Sequence, residues 1–239
     1  YLAFWVNQKI LDEAGIDKLD TKEDFKKYML AVSKDGRYGY GGSWEKTYVF
    51  NEIAQFVNMF GGDYFDWTRP ENKEAIQFLY DMVQNKQTPI DQIADKYEQM
   101  NPKANDGKYG CWFMWGLGTD YEKAGMLGQD KIHMAMVPSM TDDGKRAIFT
   151  DSWSYVLNTA SKNKEAAIKF LKYMASEGGM EASYKAFDRY PARKDVAEKV
   201  VPDTDPAKEM YSRYASECNV QGRPMLPQTM EFITDMGTI

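Results

Sequence analysis

The chain has one histidine and two cysteines among 239 residues, and that scarcity removes several chemistries. A Ser-His-Asp or Cys-His centre would have to use His133, and neither Cys111 nor any serine sits in a nucleophile motif. His133 lies in "KIHMAMVP", a short apolar strand pattern, where a packed ring is the simpler role. A zinc site of histidine and cysteine ligands is equally short of donors. Cys111 and Cys218 follow no metal or redox spacing, and one disulfide or two free thiols both suit them. No stretch of about eighteen apolar residues occurs, so none reads as a membrane-spanning helix. No dense Lys/Arg block occurs either, and the net charge is −6, which excludes the basic face of a nucleic-acid binder. The glycine pairs at 41–42, 61–62 and 178–179 form neither G-x-G-x-x-G nor a P-loop. The opening "YLAFWVNQKI" lacks the basic region and cleavage site of a signal peptide and reads as though in mid-fold. No cofactor or metal is expected.

What is present is apolar and aromatic. Hydrophobic residues make up 43%, enough for a sizeable core in one large domain or two small ones. The order of elements is mostly helical with strands between, which points to α/β. Thr21 followed by Asp24 makes a box-like start for a helix whose stripe is Phe25, Tyr28, Met29 and Val32. "TYVFNEIAQFVNMFGG" places Phe50, Ile53, Phe56, Val57 and Phe60 at helical spacing. Pro70 opens a helix with Ile76, Leu79, Tyr80 and Val83 facing inward. "NKEAAIKFLKYMASEGG" predicts a helix capped by Asn163, striped by Ile168, Leu171 and Met174, and closed by Gly178. Asp143-Gly144 is a hairpin signal leading into the next strand.

That strand, "TDSWSYVLN", sets Asp151 and Trp153 on one side at period two. A carboxylate beside an indole suits a sugar, whose hydroxyls need acceptors and whose C–H faces stack on rings. Trp44, Trp112 and Trp115 also fall in or beside loops and strand ends rather than in helical stripes. The competing role for each is ordinary packing. Acidic residues are abundant, so a glycosidase pair stays open, although no spacing singles one out and most sit on helix faces where solvation is the default.

Taken in order, the segments resemble the extracellular solute-binding proteins of ABC importers, in the carbohydrate branch that includes maltose-binding protein. "FWVNQKILDEAGI", "TKEDFKKYMLAV", "NMFGGDYFD", "NKEAIQFLYDMVQNKQTP", "NDGKYGCWFMWG", "MAMVPSM", "SWSYVLNTASKNKEAAIKFLKYMAS" and "YPARKDV" are each similar to a family segment, in the family's order. The usual Phe and Ala of the "NDGKYGCWFMWG" segment are replaced. The resemblance implies the C-terminal lobe of a two-lobed, type II periplasmic-binding-protein fold, helix-rich around a mixed sheet. Residues 1–45 would be hinge-adjacent, following an N-terminal lobe. Residues 46–239 would form the ligand-binding lobe, with the family's final helices beyond. It implies a carbohydrate ligand, permease subunits as partners, a monomer outside the cytoplasm, and a lipid anchor on an earlier segment as the one tie to the membrane. It implies no catalysis. The contacts it implies are Trp44 and Glu45 from "SWEKTY", Trp112 or Trp115 from "CWFMWG", Asp151 and Trp153 from "TDSW", and Arg189, with Tyr190 second, from "DRYPAR". Arg193 matches the family pattern as a structural residue. A polyamine, phosphate ester or metal ion in the same fold is the alternative solute.

Overall fold

The computed structural model describes residues 1–116, 118–187, 189–224 and 226–238. Strand β1 (Ala3–Asn7) is the reason for the apolar opening: all five of its residues are buried. It lies inside a four-stranded sheet of order β2-β3-β1-β4. It runs antiparallel to β3 (Tyr109–Met114) and β4 (Ile132–Ala135), while β2 (Tyr38–Gly41) runs parallel to β3 at the edge. A separate parallel pair joins β5 (Ala147–Thr150) to β6 (Asn219–Gly222). No break in the sheet falls at residue 45, since β1 and β2 both belong with β3.

Period two sorts the core into two aromatic layers. Phe4 and Phe113 face each other across the ladder with ring centroids 5.2 Å apart, and Phe56 packs edge-on against Phe113 at 5.8 Å. Their neighbours Trp5 and Trp112 are also register partners, and both pack on Tyr121, at 4.9 and 5.7 Å. Helices α1 (Gln8–Glu13), α2 (Lys22–Val32), α3 (Val49–Met59), α4 (Pro70–Gln84), α5 (Tyr97–Asn105) and α6 (Thr119–Lys123) complete this body. The Thr21–Asp24 box forms in both directions at 3.1 Å, and the α2 stripe is buried as its spacing predicts. Helix α3 is buried almost all round, polar residues included. One of them, Gln55, has a structural task. Its amide donates to the Ala147 carbonyl at 2.9 Å and accepts the Phe149 N–H at 2.6 Å, satisfying backbone groups of β5.

Tyr214, on α10 (Pro206–Glu217), enters the main sheet in an unusual way. Phe4 and Ala135 are register partners of β1 and β4. The Tyr214 hydroxyl stands between them, accepting the Phe4 N–H at 3.1 Å and donating to the Ala135 carbonyl at 2.6 Å.

Four expectations need correction. On α4 the buried face is Asn72, Ala75, Leu79 and Met82, with Ile76 and Tyr80 exposed. The stripe is rotated because Phe78 turns inward to pack on Phe25, Phe56 and Phe60. The Asp143-Gly144 turn forms, with Gly144 at φ 73°, but β4 and β5 belong to different sheets and make no hairpin. Helix α7 (Lys164–Met174) ends at Ala175 rather than Gly178, and Asn163 caps it without a side-chain hydrogen bond. The glycines instead open α8 (Glu177–Phe187), where a Cβ on Gly179 would stand 2.1 Å from the Tyr173 carbonyl oxygen. Finally, β5 stops at Thr150, and residues 151–158 have no strand partner.

That last segment leads into an unusually bare region. No residue of α7 is buried, and its expected stripe residue Ile168 is 42% exposed. Helices α9 (Lys194–Val200) and α11 (Thr229–Met236) finish the chain. Both cysteines are free, Cys111 buried against the Gly39 carbonyl and Cys218 beside Met136. His133 is half-buried, with Nε2 2.9 Å from the Gln8 side-chain oxygen.

Candidate functional site

Open α/β sheets bind ligands beyond the carboxyl ends of their parallel strands. Here β2 and β3 run one way together, as do β5 and β6. The chain leaving β3 begins with Trp115, that leaving β5 with Asp151, and that leaving β6 with Arg223, while β2 leads through Gly42 to Trp44 and Glu45. These four exits are knit together. Arg223 pairs with Asp151 at 3.1 Å and donates to the Asn51 side chain, in the first turn of α3, at 2.9 Å. Trp115 packs on Phe149 of β5 at 6.1 Å. Tyr97 meets Tyr48 edge-on at 5.1 Å. Burial drives the Tyr97 phenol far above its ordinary range, with the Glu52 charge adding to the rise and Asn51, Trp115 and Arg223 opposing it. The rings and polar groups therefore share one neighbourhood.

A cavity of about 490 Å³ opens beside this cluster. Met114, Trp115 and Gly116 form one wall, Asp120 and Lys123 of α6 another, and Tyr184 and Phe187 of α8 the third. Asp120 accepts from the Asn101 amide at 2.9 Å. Arg189 sits over the Phe187 ring at 5.6 Å, so its charge lies at the cavity edge.

Glu45 is half-buried, and its carboxylate takes both the backbone N–H and the hydroxyl of Thr47. Those bonds hold its carboxyl below the usual range, with Lys96 and Lys46 acting in the same direction. Trp44 is half-buried, its indole N–H donating to Glu52 at 2.9 Å.

The remaining expected residues stand apart. Trp112 is fully buried on the Tyr121 side of the sheet, its indole N–H donating to the Tyr121 hydroxyl at 2.7 Å. Of the two tryptophans in "CWFMWG", Trp115 alone reaches the cavity. Trp153 is 88% exposed and makes no ring contact among the described residues. The strand has ended by then, so period two no longer keeps Trp153 with Asp151. Tyr190 packs on Tyr211 at 5.0 Å. Arg193 serves structure, binding Asp195 and the Ala175 carbonyl. The glycines at 41 and 42 leave room for neighbours within the protein: a Cβ would meet the Tyr109 ring at 2.3 Å or Trp44 Nε1 at 2.5 Å.

Sequence reasoning missed Arg223, Asn51, Tyr48 and Tyr97. The signal for Arg223 was its place one residue past a strand, but "NVQG" is too short and polar to read as β.

No curated protein sequence matches the chain. A maltose-bound MalE3 from T. maritima superposes with a TM-score of 0.79 at 19% identity, over 99% of this chain and 63% of that one. An ABC-transporter solute-binding protein from Thermotoga lettingae with bound α-D-tagatose gives 0.78 at 20%, over 99% and 63%. One from Agrobacterium vitis with bound D-mannitol gives 0.74 at 17%, over 99% and 64%. These likenesses show the fold, that of the two-lobed solute-binding proteins, and the chain spans about 63% of the length of such proteins. The sequence profile of the bacterial extracellular solute-binding proteins matches residues 1–181 of the 239, and the chain belongs to that family.

Proposed function

We propose that the chain forms most of one lobe of a receptor that holds a sugar or oligosaccharide against the strand exits and delivers it to an ABC-importer permease. The observation that carries this reading is the gathering of Trp115, Tyr97, Asp151 and Arg223 from distant parts of the chain to one place. Aromatic faces stack on sugar C–H faces, and the paired charges offer donors and acceptors to hydroxyls. The Arg223–Asp151 pair favours a neutral solute, since its matched charges offer no surplus cation to a phosphate ester and no spare carboxylate to a polyamine.

A glycosidase needs a carboxylic acid with a raised pKa facing the solute. The carboxyl raised here, Glu52, is 1% exposed, while Glu45 is held low. The proposed site residues are thus Trp44, Glu45, Trp115, Asp151 and Arg189 from the sequence, joined by Tyr97, Asn51 and Arg223. Trp112 is better explained as core. The bare faces of residues 151–158 and α7 support a second lobe packing there, with the solute held as the two close. A site outside the cytoplasm and a monomeric receptor follow from the same reading.

The test is calorimetry and tryptophan fluorescence with maltose, tagatose and mannitol, and with spermidine and glycerol phosphate as competing solutes. Saturable binding of a sugar without turnover supports the proposal. Binding of only the charged solutes, or hydrolysis of a glycan, overturns it.

A further inference from the structure

Beneath the loop that carries Trp44 lies a carboxylate that no solute reaches. Glu52 is 1% exposed. Its Oε1 accepts the Ser43 N–H at 2.8 Å, and its Oε2 accepts both the Trp44 indole N–H at 2.9 Å and the Tyr40 hydroxyl. The unit is packed without slack: a Cβ on Gly42 would stand 2.5 Å from Trp44 Nε1 and 2.6 Å from Glu52 Oε2. Two backbone bonds also anchor the loop to the 92–95 segment, Trp44 N–H to the Gln92 carbonyl and Glu45 N–H to the Asp95 carbonyl, both at 3.1 Å. Hydrogen bonding, rather than a cation, is what stabilises the buried charge.

We propose that Glu52 is the positioning residue for Trp44: its ionised carboxylate fixes the indole beside the solute site, and uptake of one proton loosens that hold. The chemistry follows from what each partner can do. An indole N–H is a donor only, and so is a backbone N–H. A proton on Oε2 turns that oxygen from acceptor towards donor. The Tyr40 hydroxyl can rotate to accept from it, whereas the Trp44 indole cannot. A proton on Oε1 sets the same conflict against the Ser43 amide. Either way the 43–44 segment loses strength in one of the two bonds that seat it on α3.

The proton is within reach near neutrality. Burial pushes the Glu52 carboxyl up to about 7, and the bonds from Tyr40, Ser43 and Trp44 restrain it from going further. The titratable groups around it stay silent in that range. Tyr40 from β2, Tyr97 from α5, and Tyr109 and Cys111 from β3 are all pushed above their ordinary values by burial. Asp95, close to Tyr109, is paired with Lys103. Glu52 is therefore the group in this neighbourhood that changes charge around neutral pH. Weaker solute binding on acidification follows only if Trp44 belongs to the solute site, as proposed above; the seating of the indole is testable without any solute.

The experiment is a ligand-free pH titration of the full chain labelled with nitrogen-15 in its tryptophan indoles. Six indole N–H signals are expected from six tryptophans, and Trp44→Phe identifies one of them. The Trp44 signal should lie downfield, as for a bond to a carboxylate, and move upfield between about pH 8 and about pH 6. Glu52→Gln should abolish that movement. Tyr40→Phe removes one bond that favours the charged form, so its titration should occur at higher pH. A Trp44 signal that stays still in the wild type, or one that titrates equally in Glu52→Gln, overturns the proposal. Should Glu52→Gln fail to fold, the wild-type titration and the direction of the Tyr40→Phe shift decide it alone.

Discussion

Replacing Tyr214 by Phe removes a single oxygen and the bridge it makes between Phe4 of β1 and Ala135 of β4. The ring is fully buried and would keep its packing, including its contact with Tyr211 at 6.4 Å. What disappears is the acceptor for the Phe4 N–H and the donor to the Ala135 carbonyl. Both are main-chain groups inside the sheet, where water cannot replace the hydroxyl. Each buried polar group left unpaired costs about 1–3 kcal/mol. The pair should therefore cost roughly 2–6 kcal/mol, a large part of the ~5–15 kcal/mol that stabilises a typical domain. Urea unfolding is the assay. With a slope of ~2 kcal/mol/M, the midpoint should fall by roughly 1–3 M with little change in slope. The phenol itself is pushed far above its usual range by burial, so the loss should be the same at acid and neutral pH. A cost below about 0.5 kcal/mol would refute the reasoning. It would mean that β1 and β4 close up and make the Phe4–Ala135 bond directly, the hydroxyl being a guest in a ladder that does not need it.

Other perturbations follow from the same geometry. Glu52 has a folded-state pKa raised from 4.5 to about 7, so the folded chain holds a proton that the unfolded chain has released across that window. Its contribution is most favourable below the lower value and is lost as pH rises towards the upper one, by roughly 3 kcal/mol in all. Urea stability measured between those limits should show that decline, and Glu52→Gln should flatten it; parallel curves for the two proteins would contradict the assignment. Trp115→Ala should weaken binding of the solute found by calorimetry by about tenfold or more, ~1.4 kcal/mol or above, whereas Trp112→Phe should act on stability and leave affinity alone. Acrylamide should quench one tryptophan far more readily than the rest, and Trp153→Phe should remove that fraction, since Trp153 is 88% exposed while Trp5 and Trp112 are buried. Ile168→Ser on α7 should cost less than about 1 kcal/mol in this chain. The same change should cost more in a longer protein whose added part covers that face, which paired urea curves would show.

The legible parts of the sequence were those governed by local rules. The Thr21–Asp24 box and the α2 stripe each express a short-range pattern that the structure keeps. The α4 stripe was misplaced because Phe78 competes with Ile76 and Tyr80 for the inward side, and three phenylalanines waiting in the core decide for Phe78. Helix α7 shows the opposite case: its apolar stripe is present, yet among the described residues Ile168 stays exposed and Leu171 and Met174 are only half-buried. At the site, Trp115 and Asp151 were readable as residues beside strands. Arg223 was not, because β6 owes its existence to pairing with β5 rather than to its own sequence. Glu52 was hidden by a sound generalisation. A glutamate on a helix is solvated by default, and only the arrival of Tyr40, Ser43 and Trp44 from another segment makes this one a buried acceptor.

The Arg223–Asp151 pair also bears on when the site comes into being. β5 finds β6 only after some seventy residues of intervening chain have been folded or set aside, since Thr150 pairs with Gly222. Contacts of such separation form late, because the loop must be closed before they return any stabilisation. Helices α2 to α4 and the main sheet can assemble while the candidate site still lacks Arg223, which follows β6. If the proposed function holds, a nascent or partly unfolded chain would then be unable to hold solute. Conversely, a bound solute that touches Arg223 would clamp the last segment of the chain in place, and would slow unfolding from that end more than from the other.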